Sequence, residues 1–159
     1  MKISIVCVGK VKEAFYRDAI AEYSKRLSRY CKLEIIEVAD EQTPDGAGEL
    51  LQDQIRDKEG QRILSKIRED AYVITLEIGG RKMDSVTFSS FLEKSAIQGK
   101  GQFIFVIGGS IGLSKSVLER SDYAISFSDM TFPHQLMRVI LLEQIYRGFR
   151  IAKNEPYHK

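Results

Sequence analysis

The sequence has 159 residues and a mass of 18.1 kDa, a length typical of one domain, so we expect a single domain over residues 1–159. Hydrophobic residues make up 43% and charged residues 29%, a balance that excludes a disordered chain. No apolar run approaches the roughly 18 residues of a membrane span. Two cysteines are too few for a disulfide framework or a zinc site. We therefore expect a cytoplasmic protein with buried thiols, no bound metal and no membrane partner.

The formal net charge of +2 is too small to indicate a nucleic-acid partner, but its distribution is uneven. Residues 1–32 carry a charge of +5, residues 33–70 carry −6, and residues 133–159 carry +3. The two basic ends would form a basic face if they meet in space. The alternative is an ordinary solvated surface, which charge alone favours.

The first half of the chain alternates between strand and helix patterns. In order, we expect a strand over Lys2–Val8, a helix over 12–30, a strand over Leu33–Val38 and a helix over 49–68. The first strand is apolar, β-branched and closed by Gly9. Residues 40–48 are a polar loop, and Gly60 is expected to weaken the second helix.

The second half continues the alternation. We expect a strand over Tyr72–Ile78, a helix over 86–98, a strand over Phe103–Ile107, a short helix ending at Arg120, a strand over Tyr123–Phe127 and a long helix from Pro133 to about Ala152. Gly79 and Gly80 are predicted to close the third strand, while Ser85 and Ser114 are predicted helix caps.

Five strand–helix units in succession indicate an α/β fold with a parallel sheet and helices on both faces. Ligands of open parallel sheets bind at the carboxyl ends of the strands. The candidate binding loops are therefore residues 9–13, 79–84, 108–113 and 128–133.

The last helix is apolar around most of its circumference, which indicates burial on more than one side. We interpret the extra apolar surface as the interface of a two-fold homodimer and place Leu142 and Ile145 there. The alternative is a deeply covered core helix.

Two of the candidate loops have distinctive composition. Gly108-Gly109-Ser110-Ile111-Gly112 is glycine-dense, yet it has neither the dinucleotide fingerprint nor a Walker A lysine, and tight-turn geometry is the simpler explanation. The segment SFSDMTF before Pro133 indicates a helix start with free N–H groups. Capping of that helix by Ser128, Asp129 or Thr131 is the simpler alternative.

Four segments in order resemble the RlmH family of SPOUT-superfamily methyltransferases. They are MKISIVCVGKVKEAF, GGSIGLS, SFSDMTFPHQLMRVILLEQIYRG and NEPYHK, and the likeness covers the whole chain. The resemblance implies a parallel-sheet α/β domain with a C-terminal trefoil knot, a homodimer and bound S-adenosyl-L-methionine. It implies methylation of N3 of a pseudouridine in 23S, large-subunit rRNA. The residue pattern alone would give an unknotted sheet, because threaded chains are rare.

The resemblance also implies functional positions. The cofactor-binding residues would be Leu76, Gly108, Phe127, Ser128, Asp129, Met130, Thr131 and Phe132. The catalytic residues would be Tyr157 and His158 of the tail, with His134 as a further candidate for proton removal from N3. Lys159 follows the Tyr-His pair where many relatives carry arginine, and lysine lacks the bidentate fork.

Two alternatives stay open at this stage. One is a tRNA methyltransferase of the same fold, and the other is a non-enzymatic flavodoxin-like nucleotide-binding module. The small basic surface favours an assembled ribosome over naked rRNA as the substrate, because one short chain has little area for sequence readout.

Overall fold

A computed structural model describes all residues, 1–159, as ten alternating elements. The strands are β1 (Lys2–Val8), β2 (Lys32–Val38), β3 (Tyr72–Lys82), β4 (Gln102–Ile107) and β5 (Tyr123–Ser126). The helices are α1 (Ala14–Leu27), α2 (Glu49–Leu64), α3 (Ser85–Ile97), α4 (Lys115–Arg120) and α5 (His134–Ala152). None of the helices is long and apolar enough to cross a membrane.

All five strands are parallel and lie in the order β2-β1-β4-β3-β5. The central strands β1 and β4 are buried along almost their whole length, as expected for strands covered on both faces. Ile5 pairs with Ile35 on one side and with Phe105 on the other. The predicted α/β class and parallel sheet are confirmed.

The helices cover the sheet in two layers, each with its own core. On one face, α1, α3 and α5 bury Leu27, Phe88, Leu92 and Leu141 against the β1 and β4 side chains of that face. On the other face, Ile63 of α2 and Val117 of α4 pack against alternate positions of the same strands. This two-sided burial explains why the strand segments are nearly continuous apolar runs.

The last helix lies between α1 and α3 and has two different sides. Leu142 and Ile145 are fully buried in the protomer's own core, so their predicted place at a subunit interface is wrong. Leu136 and Ile140 lie on the opposite, half-buried side. The extra apolar surface therefore belongs to the first half of α5.

The chain reaches α5 by returning from the sheet edge to the centre. Strand β5 lies at the edge beside β3, whereas the start of α5 sits at the carboxyl end of β1. There the Arg138 guanidinium donates to the carbonyl oxygens of Val8 at 3.0 Å and Gly9 at 2.7 Å. The connection thus passes over the carboxyl ends of β3 and β4.

Glycines account for two differences from the predicted elements. Strand β3 does not end at Gly79-Gly80 but continues to Lys82, with an irregularity between Leu76 and Arg81. A Cβ at Gly80 would lie 2.7 Å from the Ile125 carbonyl carbon, so this glycine permits close strand approach. Gly60 likewise is a packing position, because a Cβ there would lie 2.1 Å from Ser114 Oγ.

The predicted helix ends need smaller corrections. Helices predicted over 12–30 and 49–68 end earlier, at Leu27 and Leu64. Asp84, not Ser85, caps α3 by accepting from the Thr87 amide at 2.7 Å. Ser114 caps α4 as predicted.

Candidate active site

A cavity of about 610 Å³ opens at the carboxyl ends of β3, β4 and β5. This size is typical of small-molecule sites. Its walls come from residues 76–79 in the middle of β3, beyond the part of that strand that pairs with β4, from residues 107–113 at the end of β4 and in the following loop, and from the segment that joins β5 to α5. The cavity therefore lies where parallel α/β sheets bind ligands.

Most of the expected cofactor positions meet in this cavity. Those that line it are Leu76, Gly108, Phe127, Ser128, Met130, Thr131 and Phe132. Asp129 does not line it; its carboxylate pairs with Lys82 on the surface. Three segments that are distant in sequence thus converge because they follow neighbouring strands.

The glycine loop, residues 108–112, is a tight turn that packs against itself. The Gly112 amide donates to the Gly109 carbonyl at 3.2 Å, and Gly112 has φ +85°. A Cβ at Gly108 would lie 2.9 Å from Leu113 Cδ2 and 3.1 Å from the Gly112 carbonyl. Gly108 is therefore required by the loop's own packing, and the loop backbone forms part of the cavity wall.

The segment before α5 is organised by Ser128 without capping the helix. Ser128 Oγ accepts from the Met130 amide at 3.0 Å, and its carbonyl accepts from Ser126 Oγ at 3.1 Å. Pro133 occupies the cap position of α5, and no side chain caps the helix. Capping by Ser128, Asp129 or Thr131, the simpler sequence interpretation, is wrong.

His134 opens α5 and lines the cavity while half buried. Its Nε2 and the Asp40 carboxyl carbon each lie 3.8 Å from the position a Cβ would take at Gly9. Burial lowers the pKa of His134, as does nearby Arg138, while Asp40 and Glu13 oppose the shift. The imidazole is therefore neutral at pH 7 and able to accept a proton.

Arg138, one turn after His134, fixes this helix start and was missed by the sequence interpretation. Its side chain is 1% exposed, and its guanidinium donates to Glu37 Oε2 at 2.6 Å as well as to the two β1 carbonyls. The Val11 amide donates to the same Glu37 oxygen at 3.2 Å. The available signal was a single arginine inside an apolar helix stripe.

The tail packs on the outer side of α5, away from the cavity. Tyr157 Oη donates to Glu143 Oε1 at 3.1 Å, and His158 Nδ1 lies 3.2 Å from Arg147. Glu143 follows His134 by nine residues, about 13 Å along the helix axis at about 1.5 Å per residue. Of the three candidate catalytic residues, only His134 lines the cavity of its own chain.

The two basic ends of the chain meet, which is the condition that a basic face required. The Arg26 guanidinium of α1 lies 5.7 Å from the ring centroid of Tyr146 of α5. Lys153 Nζ lies 6.0 Å from the Tyr30 ring. We call the cations and tyrosines of this region the basic surface: Tyr23, Arg26, Arg29, Tyr30, Tyr146, Arg147, Arg150, Lys153 and Tyr157.

The cysteines have no place in the site. Cys7 lies within buried β1, and Cys31 is half buried. Burial raises the pKa of each thiol to about 11, so both stay protonated at neutral pH. Their predicted structural role is confirmed for Cys7, which belongs to the core.

A second hollow lies at the opposite edge of the sheet. It has a volume of about 870 Å³, is wide open to solvent, and is lined by residues near Met1, Arg29 and Lys32. Neither the glycine loop nor the segment before α5 reaches it. The smaller cavity at the carboxyl edge is therefore the candidate active site.

Comparisons with known proteins agree along the whole chain. A family described as "Predicted SPOUT methyltransferase" matches residues 1–158. The chain is 56% identical over 159 residues to ribosomal RNA large subunit methyltransferase H of Clostridium beijerinckii, covering all of both chains. It is 57% identical, with the same coverage, to ribosomal RNA large subunit methyltransferase H 1 of Clostridium perfringens.

A solved structure is also similar in fold. It is a probable methylase family protein from Haemophilus influenzae, with a TM-score of 0.56 and 14% identity. The match covers 99% of this chain and 70% of that one. At this identity the likeness concerns the fold alone.

Proposed function

This chain belongs to the SPOUT methyltransferase family, and we propose that it transfers a methyl group from S-adenosyl-L-methionine to N3 of a pseudouridine in large-subunit rRNA. The observation that carries the proposal is the cavity at the carboxyl edge, where all but one of the expected cofactor positions meet. Membership in a methyltransferase family speaks against a non-enzymatic flavodoxin-like module.

The residues of the cavity fit the proposed cofactor. Leu76, Met130 and Phe132 supply apolar surface for an adenine ring. The Ile111 amide has no acceptor within the protein and is available to a polar group of a ligand. When bound, S-adenosyl-L-methionine supplies a methyl group already activated by its sulfonium.

The protein itself must accept the proton of N3 or stabilise the negative charge that its loss leaves on the base. His134 is the neutral imidazole on the cavity wall, so we assign to it the acceptance of that proton. Arg138 holds the first turn of α5 on the carbonyls of Val8 and Gly9 and so fixes the ring beside the cavity. Glu37 completes this support by accepting from Arg138.

Tyr157 and His158 serve the acceptor side in this proposal. Since these tail residues pack against Glu143 and Arg147 of α5, their action requires that the tail moves toward its own cavity or that a second protomer supplies it. The Tyr157 ring already stacks edge-on against Tyr146 at 4.9 Å, and Arg147 lies 4.6 Å from it. Such an aromatic and cationic cluster is suited to an unstacked RNA base.

The two different sides of α5 support a homodimer. Leu136 and Ile140 form an outer apolar stripe on the first half of the helix, and Phe15 of α1 is 66% exposed. The outer side of the second half carries Glu143 and Arg147 instead. We propose that the apolar half pairs two protomers and the polar half faces RNA.

The return of the chain across the carboxyl ends of β3 and β4 is consistent with a trefoil knot, which stays a prediction of the family resemblance. An rRNA substrate places the enzyme in the cytoplasm. Ion pairs with Glu22, Glu143 and Glu155 offset much of the basic surface. This modest charge favours the assembled ribosome, which adds contacts of its own, as the substrate.

The experiment supplies methyl-labelled S-adenosyl-L-methionine with intact ribosomes, separated subunits, naked rRNA or tRNA in parallel. We expect label in large-subunit rRNA, most strongly with intact ribosomes. Label confined to tRNA would instead support the tRNA methyltransferase alternative. An absence of label from every RNA would contradict the proposed function.

A further inference from the structure

One face of α2 packs against the glycine loop. Arg56, Glu59 and Gly60 stand at positions i, i+3 and i+4, which share a helix face. The Arg56 guanidinium donates to the Ile111 carbonyl at 3.2 Å. Glu59 Oε1 lies 3.1 Å from the position a Cβ would take at Gly109.

Gly60 anchors the far end of the same loop. A Cβ at this position would lie 2.1 Å from Ser114 Oγ and 3.3 Å from Val117 Cγ2. Ser114 is the cap of α4 and directly follows the loop and Leu113. Helix α2 therefore contacts the loop at its start, at its tip and just past its end.

Glu59 is a buried acid in which only one of the two carboxylate oxygens has a hydrogen-bond partner. The residue is 4% exposed, and its Oε2 accepts from the Glu41 amide at 3.0 Å. Its Oε1 is buried and has no hydrogen-bond partner. An unpaired buried acceptor is costly, so such an oxygen indicates a partner in another state of the molecule.

The loop above Glu59 offers a complementary donor. Gly109 and Gly112 pair with each other across the turn, whereas the Ser110 amide has no acceptor in the protein. Ser110 directly follows Gly109, the glycine against which Glu59 Oε1 lies. A buried acceptor without a donor and an amide without an acceptor are therefore within one residue of each other in this loop.

We propose that Glu59 is the positioning residue of the glycine loop: its unpartnered oxygen accepts the backbone N–H of Ser110 when cofactor fills the cavity. The inference rests on the proposed function only in taking S-adenosyl-L-methionine as the occupant. Glu59 acts through the loop and does not contact the reacting atoms.

The charges around Glu59 give this step a dependence on pH. Burial raises the pKa of Glu59; Asp40 and Glu41 also raise it, and Arg62 opposes them. Val8 of β1 and Gly109 of the loop, which lie beside the carboxylate, do not titrate. A hydrogen bond to the carboxylate favours its ionised form. Where Glu59 is protonated in the free protein, binding therefore releases that proton to solvent, and affinity falls as pH drops through the raised pKa.

The test is calorimetric titration of S-adenosyl-L-methionine into the wild-type chain and the Glu59→Gln variant. Glutamine still accepts from the Glu41 amide but turns an NH₂ group toward the loop, where an acceptor is needed. We expect a dissociation constant raised about tenfold, the equivalent of one lost hydrogen bond. Asp57→Asn, an exposed change on the same helix, is the matched control and leaves the affinity unchanged.

Titrations at a series of pH values upward from the ordinary glutamate pKa of 4.5, in buffers of different ionisation enthalpy, measure the number of protons released on binding. We expect release from the wild-type chain and none from Glu59→Gln. Equal affinity and equal proton release in the two chains would overturn the role of Glu59. Wild-type affinity in Glu59→Gln with weak binding by Glu59→Ala would reduce Glu59 to a packing residue. No binding by the wild-type chain would contradict the proposed function itself, and this inference with it.

Discussion

The buried guanidinium of Arg138 donates to Glu37 Oε2 at 2.6 Å and so joins the last helix to the second strand, 101 residues earlier in the chain. Two further bonds, to the Val8 and Gly9 carbonyls, place the same group over the end of the first strand. The ion pair therefore fixes the helix that carries His134 against the centre of the sheet.

Replacing Arg138 by methionine should destabilise the fold. The change leaves two backbone carbonyls and the Glu37 carboxylate without their donor, and breaking a buried pair costs about 3–5 kcal/mol. Because Glu37 is partly exposed, we expect the lower part of that range. Urea unfolding measures this loss of folding free energy. Arg68→Met, which removes an exposed ion pair with Asp70, is the control and should leave the midpoint unchanged; equal midpoints for both variants would contradict the assignment.

The pH dependence of methyl transfer should report His134. Burial lowers its pKa, so the neutral base persists to more acidic pH than an ordinary histidine. The rate should therefore fall with decreasing pH, with a midpoint below the usual value of about 6.5. His134→Asn should lose this limb and about 10²–10⁴ of the rate. A wild-type pH profile in that variant would remove His134 from the reaction.

Gly108→Val should weaken cofactor binding through the loop rather than by filling the cavity. The added side chain meets Leu113 and the Gly112 backbone, so the glycine loop must shift. We expect at least a tenfold rise in the dissociation constant with the fold retained. Gly101→Val is the control, since a Cβ at Gly101 meets no neighbour. Unchanged affinity of Gly108→Val would show that the loop does not bind cofactor.

Aspartates at Leu136 and Ile140 should dissociate the homodimer, because two charges would be buried unpaired at the interface. Sedimentation velocity distinguishes monomer from dimer. Ile97→Asp changes an apolar residue that is 80% exposed on α3, and this control should remain dimeric. A dimer that persists in the Leu136/Ile140 double variant would place the interface elsewhere.

Deleting Pro156–Lys159 should leave cofactor affinity nearly intact and reduce methyl transfer strongly, by about 10²–10⁴ if one positioning or acid–base group is lost. The physical reason is the distance between tail and cofactor, since the tail contacts α5 and does not line the cavity.

Two point variants separate the contributions of the tail: Tyr157→Phe removes the hydroxyl, and His158→Ala removes the imidazole. Removal of Lys159 alone is the control. A truncated enzyme with the wild-type rate would exclude the tail from catalysis.

Mixed dimers would show which cavity the tail serves. One chain carries the tail deletion and the other carries Gly108→Val, so that each is defective alone. Recovered activity in the mixture would mean that the tail acts on the partner's cavity. Activity that does not recover would mean that each tail moves to its own.

The strands, their parallel arrangement and the loops that follow them were predictable from the sequence. The reason is that burial on both faces of the sheet leaves continuous apolar runs, as in Lys2–Val8. Contacts that depend on packing between distant elements were not. Gly80 marks close strand approach instead of a turn, and Glu59 resembles any other acid of a highly charged helix. Arg138 has partners far away in the sequence, which no local spacing reveals.

The position of the methyl group tests the central claim most directly. Ribosomes are incubated with the enzyme and methyl-labelled S-adenosyl-L-methionine, large-subunit rRNA is digested to nucleosides, and the labelled nucleoside is identified by mass spectrometry against standards. The account predicts one labelled product, N3-methylated pseudouridine, that forms far more slowly with His134→Asn. Label on a different nucleoside, or on none, would contradict it.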